Sequence, residues 1–492
     1  MREESGMNKN NQLVLLAVKI LCIIVSSLLI LDGWALKVSA QTLTTLYSFG
    51  GPDGTTPIAS LVQADDGNFY GTTYAGGGTG NGTVFRISPA GSLTNLYSFT
   101  GGSDGYRPYG LVRGTDGNFY GTTERGGTSN NGTVFRISPS GSLTNLYSFT
   151  GGGDGGIPYA GLVRGSDGFF YGTTHAGGTS TNCNFGCGTV FRISPSGSVT
   201  NLHSFGGADG ANPYAALVQG NDGHFYGTTQ FGGTNGTTGF GTVFRISPSG
   251  NFTSLHSFTG GSDGALPLGS LVQGVDGNFY GTTREGGTSG TGTVFRISPN
   301  GTLTNLYSFS GGNDGAFPYA GLVQGSDGYF YGSTPFGGTS TNCPEGCGIV
   351  FRISPDGSLT NLHSFGGGDG AVLDAGLVQG SDGYFYGASG AGGASTNCYG
   401  GGCGTVFRLT IPLTPRPNQI SQVCRANSNI VIAIPSVSGE TYQLQCSSSM
   451  TPTNWVNVPG VSVTNSIGGL LTLTNFGGAL QPQGFYRFDI TP

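Results

Sequence analysis

From residue 57 the chain reads PIASLVQADDGNFYGTTYAGGGTGNGTVFRISPAGSLTNLYSF, in which four short runs, SLVQ, FYGTT, GTVFRIS and LTNLYSF, are separated by turn residues. The runs are too short for helices and rich in the β-branched and aromatic types that suit strands. Asp-Gly joins the first run to the second, a hairpin signal. Ser-Pro-Ala-Gly joins the third to the fourth, a tight-turn composition. Past residue 40 no apolar period of 3.6 emerges, so helix is not expected. The phrase DGNFYGTT at 66 returns, exactly or with drift, at 116, 167, 222, 276, 327 and 382, and its first phenylalanines fall at 69, 119, 170, 225, 279, 330 and 385. Four antiparallel strands per unit, with a spacing of 50 to 55 residues, predict a propeller blade. A solenoid also repeats, but its coils are shorter and its ends need caps.

The two ends of the repeat region separate these readings. The fourth-strand phrase LYSF stands at 46–49, before any first strand, and is missing after VFRLTIP at 406–412. Blade seven therefore lacks a strand that Leu46–Phe49 supplies, which latches a closed ring and has no use in an open stack. An all-β, seven-bladed propeller over 43–411 is the expectation. Pro412, Pro415 and Pro417 predict a stiff linker over 412–420. Alternating runs at Ile430-Ile432-Ile434, Tyr442-Leu444-Cys446, Leu471-Leu473 and Tyr486-Phe488-Ile490 predict a small β-sandwich over 421–492, with Trp455 in or near its core.

Composition refines this picture. Gly and Pro make up near a quarter of the 492 residues, but they recur in register with Val, Phe, Tyr and Thr, which signals ordered repeat rather than disorder. Arg2, Lys9 and Lys19 flank or interrupt an apolar run from Leu13 to Leu31, and Val38-Ser39-Ala40 precedes Gln41, so residues 1–40 read as a secretory signal peptide cleaved after Ala40. An uncleaved anchor is the alternative, but Lys19 leaves only Ile20–Leu31 unbroken, too short to span. No other segment suits a membrane span. Beyond Ala40 there are fifteen arginines, no lysine and twenty-two acidic residues, which argues against nucleic acid as a partner. Eight of the nine cysteines lie beyond Ala40, an even number suited to a secreted or cell-surface protein.

The repeated G-x-DG-x-x-P, LV-x-G-x-DG-x-FYGTT, GG and GTVFRISPSG motifs resemble those of the bacterial GloVer tandem-repeat family over about residues 43–410. More distantly, the strand order resembles NHL-type propellers. The tail GETYQLQCSSSM…NWVNVPG…GFYRFDI is similar to a small β-module found at the end of such secreted proteins. The resemblance implies an extracytoplasmic repeat protein and supplies no catalytic residues. Blade seven departs from the pattern, with Leu373-Asp374 in place of Pro108-Tyr109.

In a propeller the fourth-to-first and second-to-third strand loops share one face, here the GGxDG and GTTxxGG loops. The GGxDG loops carry Asp53, Asp104, Asp154, Asp209, Asp263, Asp314 and Asp369. A calcium ring is one reading. Hydrogen bonding of each Asp to its own loop is favoured, because calcium loops cluster several oxygens in one stretch. No metal or cofactor is expected. The hairpin carboxylates (Asp66 and its six equivalents) and the third-strand arginines (Arg86 and its equivalents) read as structural pairs. His203, His256 and His363 replace Tyr in the fourth strand and read as packing variants.

The informative positions are those where the repeats disagree. Directly after the second strand come Tyr74-Ala75, Glu124-Arg125, His175-Ala176, Gln230-Phe231, Arg284-Glu285, Pro335-Phe336 and Gly390-Ala391. With Tyr106, Arg107 and Phe317 they make an asymmetric rim suited to a glycan or protein ligand; drift in an exposed loop is the plain alternative. Cys183/Cys187, Cys343/Cys347 and Cys398/Cys403 each predict a short-loop disulfide, worth about 2 kcal/mol on a chain-entropy basis, in preference to zinc, which needs four ligands. Cys424 and Cys446 are candidates for a bridge in the end module. A monomeric binding or scaffold protein is the function expected. A polysaccharide lyase or hydrolase using Glu124, His175 and Glu285 is the alternative, and a purely structural envelope protein is a third.

Overall fold

The computed structural model describes residues 41–395, 398 and 402–411, together with the backbone strands Gln422–Ala426, Asn429–Ser436, Thr441–Ser447, Val456–Thr464, Gly469–Asn475 and Phe485–Thr491. Over the repeats the runs become seven four-stranded antiparallel sheets, six of them with their strands in sequence order. Blade one is Val62–Gln63, Phe69–Thr73, Thr83–Ile87 and Leu93–Ser98. Blade seven takes Val378–Gln379, Phe385–Ser389 and Thr405–Thr410 from the end of the repeats and Thr42–Ser48 from their beginning. Leu43 lies opposite Leu409, Thr45 opposite Phe407 and Tyr47 opposite Val406. The latch expected from LYSF is in place, and the wheel is closed.

The phrase DGNFYGTT can now be taken apart residue by residue. The tyrosine of each blade lies against the first phenylalanine of the next, from Tyr70 on Phe119 (centroids 4.1 Å) round to Tyr386 on Phe69 (4.1 Å). The same tyrosine hydroxyl donates to the Asp of its own hairpin, as in Tyr70 to Asp66 at 3.0 Å. Gly71 lies under the third strand, where a Cβ would come within 2.6 Å of the Phe85 ring and 2.7 Å of Leu61; only glycine allows that approach. The first threonine reaches across to the following blade, Thr72 to the Tyr109 carbonyl (3.2 Å) and Thr122 to that of Ala160 (2.7 Å). The second binds the third strand of its own blade, Thr73 to Thr83 at 2.8 Å. Thr72 and Thr73 are buried and hydrogen-bonded, as buried hydroxyls require, whereas the blade-four equivalent of Thr72, Thr228, is buried with its hydroxyl unpartnered among the described residues.

The pairing foreseen between hairpin carboxylates and third-strand arginines takes a different form. Each Asp is occupied by the tyrosine hydroxyl and by the backbone two residues on, as Asp66 is by Tyr70 and Asn68. The arginine bonds the tyrosine instead (Arg86 to Tyr70), so the phenol stands between the two charges. Three of these guanidinium groups lie over aromatic rings of the hairpin, Arg192 over Phe169 at 4.7 Å, Arg352 over Tyr329 at 4.9 Å and Arg408 over Tyr384 at 5.1 Å.

The chain divides into two units at Ile411/Pro412. In the second, Gln422–Ala426, Asn429–Ser436 and Gly469–Asn475 form one three-stranded sheet, and Val456–Thr464, Thr441–Ser447 and Phe485–Thr491 another. The segment read as a signal peptide (1–40), the linker (412–420), Trp455 and the side chains of Cys424 and Cys446 lie outside the described residues. Among the described residues no helix is long and apolar enough to cross a membrane.

Phe49, fully buried, follows the latch strand and contacts Tyr47 (5.4 Å) and Phe85 (5.3 Å) edge-on. Phe49→Ala is expected to lower unfolding free energy by about 3–5 kcal/mol, read as a shift in denaturant midpoint at unchanged slope. Val275→Ala, at a side chain 93% exposed, should change it by less than about 0.5 kcal/mol.

Candidate functional site

The two loop sets share a face because their backbones pair: Thr55 with Ala75, Gly156 with Ala176, Ala211 with Phe231, Ala265 with Glu285, Ala316 with Phe336 and Ala371 with Ala391. In blade two the same pairing extends into regular strand, Tyr106 opposite Arg125. One residue per blade in this seam adopts a left-handed backbone although it is not glycine: Thr56 (φ 56°), Arg107 (58°), Ile157 (56°), Asn212 (54°), Leu266 (54°), Phe317 (54°) and Val372 (56°). Such a conformation costs about 1–3 kcal/mol per residue and persists only when the surroundings fix it. Here each amide donates to a carbonyl of the preceding blade, Arg107 to Asn81 at 2.9 Å and Thr56 to Cys403 at 3.0 Å among them. The seam backbone is thus held by hydrogen bonds that do not depend on the side chains.

Strand alternation then sorts the variable pairs. Three first members meet tyrosines of the axial cavity, Tyr74 on Tyr109 (6.1 Å), His175 on Tyr159 (4.7 Å) and Arg284 over Tyr319 (5.4 Å). Glu124 is buried, its Oε1 3.1 Å from Arg107 Nη1 and its Oε2 accepting from the Tyr74 hydroxyl at 2.7 Å. Arg125 Nε lies 3.6 Å from Glu124. The Arg107 guanidinium sits over Tyr74 (5.1 Å) and Tyr106 (5.8 Å). His175 packs on Tyr159 (4.7 Å) with its Nδ1 buried and unpartnered. On the opposite side Arg284 pairs with Glu285 and lies over Phe317 (5.7 Å) and Tyr319 (5.4 Å). The expected rim therefore resolves into two clusters, one across blades one to three and one across blades five and six.

Other expected rim residues stand apart. Gln230 donates its backbone N–H to the Asn212 carbonyl at 3.2 Å, as its equivalents do in other blades, and its side chain joins neither cluster. Phe231 packs against the Cys183–Cys187 region in the core of its blade interface. Phe336 touches Phe317 only at 6.2 Å and lines a separate groove with Pro344, Val372 and Ala391. The three short-loop disulfides are formed, with Cα separations of 5.1 Å for Cys183–Cys187, 5.2 Å for Cys343–Cys347 and 5.3 Å for Cys398–Cys403. The loop aspartates turn inward to their own loops and to the fourth strand: Asp53 accepts from the Gly50 amide (2.8 Å) and the Tyr47 hydroxyl (2.5 Å), while Asp209 and Asp369 meet His203 (2.8 Å) and His363 (2.7 Å).

The axis holds residues that motif reading passed over. A cavity of about 350 Å³ is lined by Ile58, Tyr109, Tyr159, Tyr214, Leu268, Tyr319 and Asp374, the same repeat position in all seven blades, together with Gly, Ala, Ser, Leu and Val residues that follow them. Tyr109 contacts Tyr74 (6.1 Å) and Tyr159 (5.8 Å), and Tyr159 contacts Tyr214 (5.1 Å), which ties this floor to the rim. The Tyr109 and Tyr214 hydroxyls are hydrogen-bonded to each other, and burial raises both phenols, Tyr214 to about 12. Asp374 is half-buried, and burial pushes its carboxyl up to about 6. Burial holds His175 down at about 4, so it is neutral at pH 7. The signal for Asp374 was the break in the Pro-Tyr pattern.

The model of the Gloeobacter/Verrucomicrobia repeat matches residues 32–185 and 179–407. No curated protein matches the chain. Among solved structures, a gluconolactonase from Xanthomonas campestris is 13% identical, with 76% of this chain and 90% of that one covered and a TM-score of 0.39. A luciferin-regenerating enzyme is 10% identical, with 76% and 96% covered and a TM-score of 0.41. At these scores the likeness carries no argument about activity.

The two perturbed groups act on stability with opposite signs. Between pH 4 and 6.5 an unfolded His175 binds a proton that the folded one refuses, so its contribution is lost as pH falls through that window. Between 3.8 and 6 the folded Asp374 keeps a proton that the unfolded one has released, so its contribution is lost as pH rises. His175→Gln should therefore reduce the loss of stability on going from about pH 7 to about pH 4.5, and Asp374→Asn should increase it, each by on the order of 2 kcal/mol in denaturant unfolding. The same sign for both variants would refute the assignment.

Proposed function

Since the chain belongs to the Gloeobacter/Verrucomicrobia repeat family, whose repeats here build a rigid wheel, we propose that it is a secreted or cell-surface binding protein that engages a glycan at the mouth of its axial cavity. The observation that supports this is the placing of two clusters of variable side chains against the tyrosines of the axial cavity, through Tyr74 on Tyr109, His175 on Tyr159 and Arg284 over Tyr319. Aromatic side chains (Tyr74, Tyr106, Phe317) stand beside fixed Arg–Glu pairs on the rim. Aromatic rings stack on the C–H faces of sugars, and preset Arg and Glu groups bind vicinal hydroxyls, so the combination suits a carbohydrate. Backbone strain concentrated at one residue per blade in this same seam fits a functional surface.

The readings that surround this one are part of the proposal. Residues 1–40 act as an export signal, the three disulfides fit an oxidising compartment, residues 412–420 are a linker, and the two C-terminal sheets form a small sandwich. The protein acts as a monomer, without nucleic acid and without a cofactor. Catalysis is the weaker reading. Glu124 is held by Arg107 and Tyr74, Glu285 by Arg284, and His175 is buried with no carboxylate bonded to it among the described residues. General acid–base chemistry needs a positioned pair with free protons to exchange.

The test is a glycan and peptide array probed with the wild type and with Glu124→Gln, Arg107→Ala and Arg284→Ala. A glycan hit weakened roughly tenfold or more by these changes, at unchanged melting behaviour, is expected for rim contacts of this kind. A hit confined to peptides, or a glycan hit indifferent to all three variants, would remove the reading.

A further inference from the structure

The floor of the mouth differs from its rim in one respect: its charge is unanswered. Among the described residues Asp374 is the only charged side chain on the wall of the axial cavity. Burial alone perturbs it, and among the described residues no hydrogen-bond donor or cation pairs with its carboxylate. On the rim, by contrast, Glu124 is met by Arg107 and Tyr74, and Glu285 by Arg284.

The change that puts Asp374 there leaves the backbone alone. Val372 keeps the left-handed φ of its six counterparts (56°). Leu373, fully buried, fills the slot that proline fills elsewhere: its Cδ1 lies 2.7 Å from where a Cβ on Gly348 would be, and Pro108 Cδ stands 2.6 Å from the same point on Gly82. Ser333 still reaches across to the Ala375 carbonyl at 3.2 Å, as Thr122 does to Ala160. One tyrosine position in the ring has become a carboxylate, and its surroundings are otherwise preserved.

Four tyrosines share the cavity wall with this carboxylate, and Tyr214 lies close enough to feel its charge. A hard divalent ion fits poorly, since it needs six or more oxygen ligands and finds one carboxylate. An anion is repelled. A neutral ligand leaves a buried charge unpaired, which is unfavourable. An organic ammonium ion is stabilised by both parts of the wall, through the charge of Asp374 and through the tyrosine rings and hydroxyls. The geometry points to a protonated amine as the group the axial cavity takes, carried by an amino sugar of the glycan on the rim. This rests on reading the mouth as a glycan-binding face and adds the chemistry of its floor.

The experiment titrates the full chain with glucosamine, N-acetylglucosamine and n-butylammonium at constant ionic strength near neutral pH, following heat or tyrosine fluorescence. Glucosamine is expected to bind roughly tenfold or more tightly than its N-acetyl form, and Asp374→Asn is expected to erase that preference. Asp374→Tyr, which restores the residue of four other blades, should do the same and guards against a folding defect peculiar to Asn. Equal affinity for the two sugars, or a preference that survives both substitutions, overturns the inference. Tighter binding of n-butylammonium than of glucosamine overturns the amino sugar as carrier. The two readings fail separately: array binding that depends on Glu124 and Arg284 with no amine preference sinks only the floor, and an Asp374-dependent amine preference with an array indifferent to the rim variants sinks the glycan-binding rim.

Discussion

Seven tyrosine rings, each lying on the phenylalanine of the next blade, are the contact on which the rest of this molecule depends. Every blade carries the same forward face (Tyr70 and its equivalents) and the same backward face (Phe69 and its equivalents), so the interface is head-to-tail and must either close or leave two aromatic faces bare. It closes at the seventh step, with Tyr386 on Phe69 at the same 4.1 Å as Tyr70 on Phe119. Polar contacts repeat that closure at a second radius: the Ser381 amide of blade seven donates to Gln63 of blade one at 2.8 Å, as the Ser326 amide of blade six does to Gln379 of blade seven at 2.9 Å. The latch strand completes the last sheet, and the stacking makes that sheet a neighbour of the first.

A frame fixed in this way frees its loops. The seam around the mouth is tied by backbone bonds within and between blades, and the strained residue in each blade is held by its amide and not by its side chain. Thr56, Arg107, Ile157, Asn212, Leu266, Phe317 and Val372 occupy equivalent backbone positions with seven different chemistries. The energetic load sits in the repeated core, and chemical variety sits where it disturbs the core least.

The repeat was legible because each residue of its signature has a fixed partner: the Asp its Tyr, the Tyr the next Phe, the Gly its close approach, the two Thr their two neighbours. Blade count, strand order and latch followed from spacing alone. Radial position did not. A sequence shows that Tyr74 and Phe231 follow equivalent strands, yet it does not say where each side chain packs, and Phe231 and Phe336 lie apart from Arg107 and Glu124. The arginine–aspartate pair expected from the sequence does not form for a similar reason: both charges run to the hairpin, but the phenol of the strand between them reaches the carboxylate first. Asp374 is visible as a break in the pattern, and its meaning depends on the convergence of this repeat position, tyrosine in four blades, on one cavity.

Symmetry itself explains why these breaks matter. A wheel of seven identical blades presents the same group seven times at each radius, and a single asymmetric ligand cannot use seven equal sites. Selectivity has to come from positions where the repeats differ, and those differences are arranged unevenly around the mouth, with ion pairs on blade two and on blade five and, among the described residues, a carboxylate in the cavity wall on blade seven alone. Paired charges on the rim have short-range fields that position a ligand. An uncompensated one at the bottom of an aromatic cup, where the surrounding dielectric is low, has a longer reach into the cavity. The chain has kept its backbone uniform through Val372, Leu373 and Ala375 while letting one side chain in the ring become different, which is how a symmetric scaffold acquires a direction without losing its closure.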